Sequence, residues 1–153
     1  GLIDAYDISN VTTKLDGGVY DDGHNTPLAG KFSYEYDKKA YKAGDDVTVK
    51  VKGHGMQSVN AFNFVLPYRP QDMRFVKAEA VAAKDMRNMT YDRHHSDGSQ
   101  VLYPTFANVG NQATLNGDET LCELHFKAVR SFTVKQQAPK GMAVDKNLNE
   151  LDF

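Results

Sequence analysis

The chain has 153 residues with 18 basic and 20 acidic side chains, so its formal net charge is −2 and nothing indicates a nucleic-acid-binding surface. A chain of this length buries roughly 70% of its unfolded surface, which is enough for one core, and no apolar run approaches the roughly 20 residues of a membrane-spanning helix. The single cysteine, Cys122, rules out a disulfide within the chain, and its strand-like surroundings predict a small buried hydrophobe.

The first predicted element is a short N-terminal helix over about residues 4–15. Asp4 can cap this helix, with Asp7 three residues later, and the pair Gly17-Gly18 ends it. The apolar stripe of the helix has three members at helical spacing: Ile8, Val11 and Leu15. The stretch 17–29 is rich in glycine and aspartate and is broken by a proline, which is typical of a linker.

The same opening residues have the spacing of the back half of a calcium loop. Gly1, Ile3 and Asp7 stand where such a loop needs a turn glycine, an apolar residue two places on and a closing carboxylate six places after the glycine. Asp4 and Asp7 are therefore the candidate metal ligands, although two carboxylates supply fewer than the six to eight oxygens that calcium takes. We expect no cofactor in this fragment, and calcium binding only in a full-length repeat.

From residue 30 onward the apolar pattern has the period of two that is typical of strands. The predicted strands are, in chain order, 31–36, 47–51, 59–66, 74–81, 87–93, 100–107, 121–126, 132–135 and 142–145. Asp97-Gly98 and Asn116-Gly117 are hairpin signals, because both central residues of such a turn need a positive φ. Short strands at about ten-residue spacing predict an all-β fold, a β-sandwich of about nine strands after the short N-terminal helix.

Four segments, in this order, are similar to strands of cohesin modules. They are 43–51 (Ala-Gly-Asp-Asp-Val-Thr-Val-Lys-Val), 58–68, 119–127 and 142–150. The opening Gly-Leu-Ile-Asp-Ala-Tyr-Asp resembles the calcium-binding repeat of dockerin modules. The resemblance implies a jelly-roll-like sandwich of nine strands over residues 30–153, preceded by the remnant of a dockerin-like repeat at 1–16 and a linker at 17–29.

The resemblance also implies non-catalytic work in a secreted or cell-surface bacterial protein that breaks down polysaccharide, such as a glycoside hydrolase. The expected partner is a dockerin-like or neighbouring module of the same or another chain, with a glycan as a second possibility. Neither a nucleic-acid partner nor a membrane span is expected. Two alternatives stay open: a carbohydrate-binding module with a tyrosine-rich surface, and a structural spacer.

Four tyrosines are candidates for an exposed binding surface: Tyr41, Tyr68, Tyr91 and Tyr103. A second aromatic row at 32, 34 and 36 could stack sugar rings, but one face of every sandwich strand must be apolar, which favours a core role for this row. His94 and His95 are adjacent in a strand pattern and point to opposite faces, so they do not easily share a metal ion.

Catalytic motifs are missing from the sequence. It contains no Gly-x-Ser-x-Gly elbow, no phosphate-binding glycine loop and no His-Glu-x-x-His. Asp45 and Asp46 are adjacent in a turn rather than placed to face each other across a cleft, as a glycosidase requires. We therefore expect that the chain is not an enzyme by itself.

Overall fold

The computed structural model describes residues 30–110 and 113–153, and these residues form an all-β fold. The predicted N-terminal helix, the candidate ligands Asp4 and Asp7 and the linker 17–29 lie outside the described residues. Over the described ranges, no helix is long and apolar enough to cross a membrane. The strands are β1 (Lys31–Tyr36), β2 (Ala40–Tyr41), β3 (Asp46–Tyr68), β4 (Met73–Ala80), β5 (Arg87–Asn88), β6 (Tyr91–His94), β7 (Gln100–Tyr103), β8 (Thr105–Ala107), β9 (Leu115–Ala128), β10 (Phe132–Thr133), β11 (Lys140–Asp145) and β12 (Glu150–Asp152).

The long strand β3 organises the sandwich because it takes part in two sets of antiparallel pairings. Its first half pairs with β1 on one edge and β9 on the other, and β9 pairs in turn with β4. Its second half pairs with β11 on one edge and with β8 and β7 on the other. Val59 pairs with Leu115 of β9 and with Asp145 of β11, so β11 lies on the edge of β3 that β1 occupies further back.

Irregular backbone separates the two halves of β3. The register with β9 shifts between Gly53 and Met56 and again between Met56 and Val59. Gly55 and Ser58 have φ values of 61° and 52°, which are left-handed conformations inside an otherwise extended strand. Bulges of this kind bend a strand. The bend lets one strand serve both layers of the sandwich.

Aromatic rings fill the space between the layers. Phe64, in the second half of β3, contacts Phe32 of β1 at 5.3 Å between ring centroids and Phe153 near the C-terminus at the same distance. Phe126 of β9 contacts Tyr68 at 5.1 Å. The core role predicted for the aromatic row at 32, 34 and 36 is confirmed, since Tyr34 is buried and its two neighbours in the row pack against the core.

Cys122 is a buried core residue, as predicted. Burial raises the pKa of its thiol, and the nearby Glu123 carboxylate raises it further. A thiol held in its neutral form is a weak nucleophile. Cys122 is therefore a packing residue rather than a reactive one.

The predicted all-β sandwich is confirmed, and the strands differ from the prediction in their continuity. The segments predicted as 47–51 and 59–66 are parts of the single strand β3. The segment 100–107 is interrupted at Pro104, which has no backbone N–H to donate, although its pairing with β3 keeps one register on both sides of the proline. The two-residue strand β2 was not predicted; its partner β10 is the first half of the predicted strand 132–135.

One of the two hairpin signals is right and the other is wrong. Asp97-Gly98 does lie in the turn between β6 and β7, but only Gly98 has a positive φ, at 88°. Asn116-Gly117 forms no hairpin turn. It lies inside β9, where Gly117 pairs with Met56 at the bulge and uses its positive φ of 73° there. Pairing with β3 along the whole of β9 overrides the local turn preference.

Candidate functional site

The two layers of the sandwich present outer faces of opposite chemistry. On the layer β1–β3–β9–β4 the outward side chains are mostly charged and paired across strands, and we call this the charged face. Lys127 contacts Asp46 at 2.9 Å, and Lys52 contacts Glu35. Hydrogen bonds from these lysines hold the pKa values of both carboxyl groups below their usual range. Such a surface is well suited to water.

The outer face of the other layer has an uncharged centre. The register places Asn63 of β3 between Met142 of β11 and Thr105 of β8, and it places Ala61 between Val144 and Ala107. Because side chains alternate along a strand, Val65 of β3 and Tyr103 of β7 also point outward on this side of the sheet. We call this set the uncharged face; its members are Ala61, Asn63, Val65, Tyr103, Thr105, Ala107, Met142 and Val144.

Side chains at the centre of the uncharged face are buried although they point away from the core. Met142 is 0% exposed, Val144 is 4% exposed and Asn63 is 5% exposed. Met142 and Val144 form a hydrophobic cluster separate from the main core, with Ala61 packed against it. Their neighbour in β11, Ala143, points the other way and belongs to the core.

A hydrogen-bonded polar pair fixes the middle of the uncharged face. The side-chain amide of Asn63 donates to Oγ1 of Thr105 at 2.6 Å, and that hydroxyl donates to the carbonyl of Tyr103 at 3.0 Å. Gly141 lets β11 approach β3 closely, because a Cβ at this position would clash with the Asn63 carbonyl oxygen. Its φ of 153° also lies in a region that L side chains rarely adopt.

Charged residues of opposite sign border the uncharged face at its two edges. On the β12 edge, Glu150 pairs with Val144, and Asp152 pairs with Met142. Partial loss of hydration raises the pKa of the exposed Asp152, and the neighbouring Glu150 carboxylate raises it further. On the opposite edge, Arg87 of β5 pairs with Ala107, and Arg93 of β6 pairs with Val101 of β7. Lys140 of β11, opposite Val65, is exposed and lies on the same side of the sheet. The face therefore has an uncharged centre, two acidic residues and one lysine on its β12 side, and two arginines at the opposite edge.

The four tyrosines predicted to form an exposed surface do not form one. Tyr41 is 3% exposed, so its prediction as an exposed residue is wrong. Its ring stacks on Phe132 with centroids 5.4 Å apart, and its hydroxyl donates to the Asp37 carboxylate and accepts the Lys38 N–H. The unpredicted pairing of β2 with β10 draws this ring into the core.

The remaining three tyrosines lie on different sides of the β6–β7 hairpin. Tyr68 packs against the core, and its hydroxyl donates to the Asp92 carboxylate at 2.8–2.9 Å. Tyr91 and Tyr103 are half-buried and stack on each other, with ring centroids 4.7 Å apart and planes at 17°. Because Tyr91 and Asp92 are consecutive in a strand, the stacked pair faces away from Tyr68. The pair belongs to the uncharged face through Tyr103.

One group of side chains in the described residues could hold a divalent ion. Glu79 of β4 and Glu123 of β9 are directly opposite each other, and Nε2 of His125 lies 3.0 Å from the first carboxylate and 3.7 Å from the second. Imidazole and carboxylate are both zinc ligands. Lys77, 3.9 Å from the Glu79 carboxylate, competes with a cation at this place on the charged face.

The predicted separation of the adjacent histidines agrees with their surroundings. Nδ1 of His94 lies 2.8 Å from Oε1 of Gln100 across the β6–β7 hairpin. His95 belongs to the turn, where its N–H donates to the Ser99 carbonyl. The two residues thus belong to different parts of the hairpin, His94 to the strand and His95 to the turn.

An open cleft of about 670 Å³ lies between the end of β3 and the segment after β9. Asp72 is the one carboxylate among the described residues that line it, and Nε of Arg130 donates to that carboxylate at 2.7 Å. Glycoside hydrolysis by the common mechanisms uses two carboxyl groups across the scissile bond. The described residues that line this cleft supply one carboxylate, Asp72, and it already accepts a hydrogen bond from Arg130.

Comparison with known proteins gives no match to any protein-family model and none to any curated protein. Solved structures do match. A cohesin module from a Clostridium perfringens family 33 glycoside hydrolase has a TM-score of 0.61 at 10% identity, over 84% of this chain and 91% of that one. A type II cohesin domain from the cellulosome of Acetivibrio cellulolyticus has a TM-score of 0.60 at 12% identity, over 80% and 88%.

A third similar structure is a type I cohesin solved in complex with a dockerin from Clostridium thermocellum. Its TM-score is 0.59 at 12% identity, over 80% of this chain and 91% of that one. At these identities the likeness establishes the fold alone. The chain is therefore cohesin-like in fold, as the order of the four strand segments predicted.

Sequence reasoning found the strands of the uncharged face but did not recognise the face itself. The signal was present in the segment 59–66, which is apolar on both sides, whereas 47–51 alternates with polar residues. Strands whose two sides are both buried have near-continuous apolar sequences of this kind. The sequence alone does not show that Met142 and Thr105 flank this strand, because that neighbourhood depends on pairings between distant segments.

Proposed function

We propose that this chain is a non-catalytic interaction module that binds a dockerin-like partner through the half-buried members of the uncharged face, which are Ala61, Val65, Tyr103 and Ala107. The observation that carries the proposal is the contrast between the two outer faces. Paired charges cover one, whereas the other has an uncharged centre and charged edges. Protein interfaces have this anatomy, with few charges at the centre and a polar rim.

Several similar structures support the class of partner. Two of them, from Clostridium thermocellum and Acetivibrio cellulolyticus, are cohesins solved with a dockerin. The Clostridium perfringens neighbour is a module of a glycoside hydrolase. By this analogy, we place the chain in a secreted or cell-surface bacterial protein that acts on polysaccharide, where it serves attachment rather than hydrolysis.

Titration calorimetry with a dockerin module that carries both calcium-loop repeats tests the proposal. Val65→Asp puts a charge on the uncharged face at a half-buried position, and Thr48→Asp puts the same charge on the charged face. We expect Val65→Asp to weaken binding at least tenfold, because it replaces an apolar contact by a carboxylate that loses its water in the interface, and the exposed Lys140 opposite it offsets only part of this cost. Thr48→Asp should bind like the unmodified chain. Equal affinity of both variants would reject the uncharged face as the binding surface.

The stacked pair Tyr91 and Tyr103 supports a second candidate, which is recognition of a glycan. Aromatic rings at a surface can stack on the apolar faces of sugars. Affinity electrophoresis in gels that contain plant or host polysaccharides tests this candidate, with Tyr103→Ala as the variant and Tyr36→Ala, a half-buried tyrosine in β1 of the other layer, as the control. Retardation that Tyr103→Ala abolishes would favour glycan binding. Absence of both glycan and dockerin binding would leave the spacer role.

A further inference from the structure

Three side chains of metal-binding type lie together on the charged face, on the neighbouring strands β4 and β9. Glu79 of β4 is directly opposite Glu123 of β9, and His125 follows two residues later on the same side of β9. Two candidate ligands therefore come from alternate residues of one strand, and the third comes from the strand beside it. Backbone pairing between the two strands holds all three at this corner of the sheet.

A β-bulge in β4 gives Glu79 its outward direction. The register with β9 shifts between Phe75 and Lys77, so Val76 is an extra residue in β4. After the shift, Ala78 packs against the core and Glu79 is exposed. With strict alternation from Phe75, which also packs against the core, Glu79 would point inward instead. Bulges are common next to functional sites because they change the direction of a side chain in this way.

The distances between the candidate ligand atoms are close to those around a zinc ion. Nε2 of His125 lies 3.0 Å from a carboxylate oxygen of Glu79 and 3.7 Å from one of Glu123, and all three atoms lie within 4.8 Å of one another. Tetrahedral zinc binds nitrogen and oxygen at about 2.0–2.2 Å, which places its ligand atoms about 3.3–3.6 Å apart. Glu79 is exposed and Glu123 is half-buried, so rotation of their side chains suffices to reach these distances.

The two carboxylates also create a demand for positive charge. Like charges that are directly opposite each other destabilise a pair of strands. Two lysines flank the pair: Nζ of Lys77 lies 3.9 Å from the Glu79 carboxylate, and Lys50 of β3 is opposite Glu123 across the other edge of β9. Lys50 is also opposite Glu35 of β1. A metal ion between the carboxylates would contact both at about 2 Å, much closer than either lysine.

The chemistry of the three ligands selects the class of ion. Imidazole suits zinc and other transition metals, whereas calcium and magnesium prefer oxygen ligands alone and more of them. One imidazole and two carboxylates match the three protein ligands of a zinc site whose fourth position holds water.

We infer that Glu79, Glu123 and His125 form a zinc site that links the edge strand β4 to β9. Among the described strands, β4 pairs with β9 alone, so a metal ion bound to both strands strengthens the attachment of this edge. Binding that needs the folded arrangement of the ligands also stabilises the fold. The site lies on the charged face, so it is independent of the partner proposed for the uncharged face.

Titration calorimetry with zinc chloride tests the site on the whole chain, prepared free of metal. We expect zinc to bind at least tenfold more tightly than calcium or magnesium. His125→Gln and Glu79→Gln should each weaken zinc binding at least tenfold, because each removes one of three ligands. The controls His54→Gln and Glu119→Gln, at exposed positions of β3 and β9, should bind like the unmodified chain. Equal zinc affinity of His125→Gln and the unmodified chain would overturn the inference.

Lys77→Met provides a test in the opposite direction. It removes the ammonium group that competes with a cation for the Glu79 carboxylate, so zinc should bind several-fold more tightly. Lys140→Met, at an exposed position of β11 on the other layer, should leave the affinity unchanged. A loss of zinc affinity in Lys77→Met would contradict the inferred position of the ion.

Amide hydrogen exchange measures the link between the strands. Saturating zinc should slow exchange in β4 several-fold in the unmodified chain, because opening of this edge would then require release of the metal. The same zinc concentration should have no such effect in Glu79→Gln, whose substitution is at an exposed position and keeps the size of the side chain. Unchanged exchange in β4 of the unmodified chain, or an equal effect in Glu79→Gln, would overturn the inference.

Discussion

Replacement of Phe64 by alanine is the sharpest test of the described core. Phe64 is fully buried in the second half of β3. Its ring lies between rings from both layers: the centroid distances are 5.3 Å to Phe32 and 6.1 Å to Tyr34 of β1, and 5.4 Å to Phe62 of its own strand. Phe153, close to the C-terminus, adds a fourth ring at 5.3 Å.

We expect Phe64→Ala to lower the free energy of unfolding by about 3–5 kcal/mol, the range measured for large-to-small changes in cores. The upper part of this range applies because the surrounding rings belong to strands that are held in register by backbone pairing. They cannot close easily over the space that the phenylalanine leaves. The cost therefore includes the cavity as well as the lost transfer free energy.

Urea denaturation measures this loss, with Tyr103→Ala as the matched control. Tyr103 is half-buried and stacks on one ring, Tyr91, so its removal should cost about 1–2 kcal/mol. With a denaturant slope of about 1–3 kcal/mol per molar, the midpoint of Phe64→Ala should fall by at least about 1 M. Equal losses in the two variants, at unchanged slope, would show that Phe64 is not at the centre of the core.

Three further predictions concern the buried Asn63–Thr105 pair, the carboxyl group of Asp152, and calcium binding by the N-terminal aspartates. Thr105→Val should cost about 1–3 kcal/mol in chemical denaturation, because it leaves the buried Asn63 amide without its acceptor, whereas Thr133→Val at an exposed position should cost little. The pKa of Asp152 is raised in the folded state, so its charged form opposes folding; Asp152→Asn should stabilise the chain at pH 7, and this gain should shrink as the pH falls through the raised pKa. The same substitution at pH 7 with no gain would contradict that sign. Calcium should bind the chain only weakly, because its N-terminal aspartates supply too few oxygens, so calorimetry should detect weak binding and a chelator should leave the unfolding midpoint unchanged.

The sequence predicted the strands well where the period of two is long enough to count. The segments 31–36 and 74–81 agree with β1 and β4 to within one residue. An alternation of apolar and polar residues indicates a strand with one side on the core, and this pattern can be recognised within the segment itself. Tyr41 shows where this reasoning stops: its strand has two residues, and the partner strand lies about ninety residues further along the chain. The residues around Tyr41 therefore do not predict its pairing with β10.

The wrong hairpin at Asn116-Gly117 has a related cause. The dipeptide does prefer positive φ, and Gly117 does adopt it. The surrounding residues of β9 pair with β3 on one edge and, further along, with β4 on the other. Because these pairings keep the residues around Gly117 in β9, the positive φ forms a bulge there. The same local preference therefore bends a strand instead of reversing the chain.

Strand β3 shows that its core-facing and outward-facing residues carry different information. Both halves of the strand direct one set of residues to the core, and the core restricts that set to apolar side chains. The outward set is free of this restriction, so its chemistry reports what lies outside. In the first half the outward residues are Thr48, Lys50 and Lys52; in the second half they are Ala61, Asn63 and Val65. The outward residues thus change from polar and charged side chains in the first half to uncharged ones in the second, and this difference is what distinguishes the two outer faces of the sandwich.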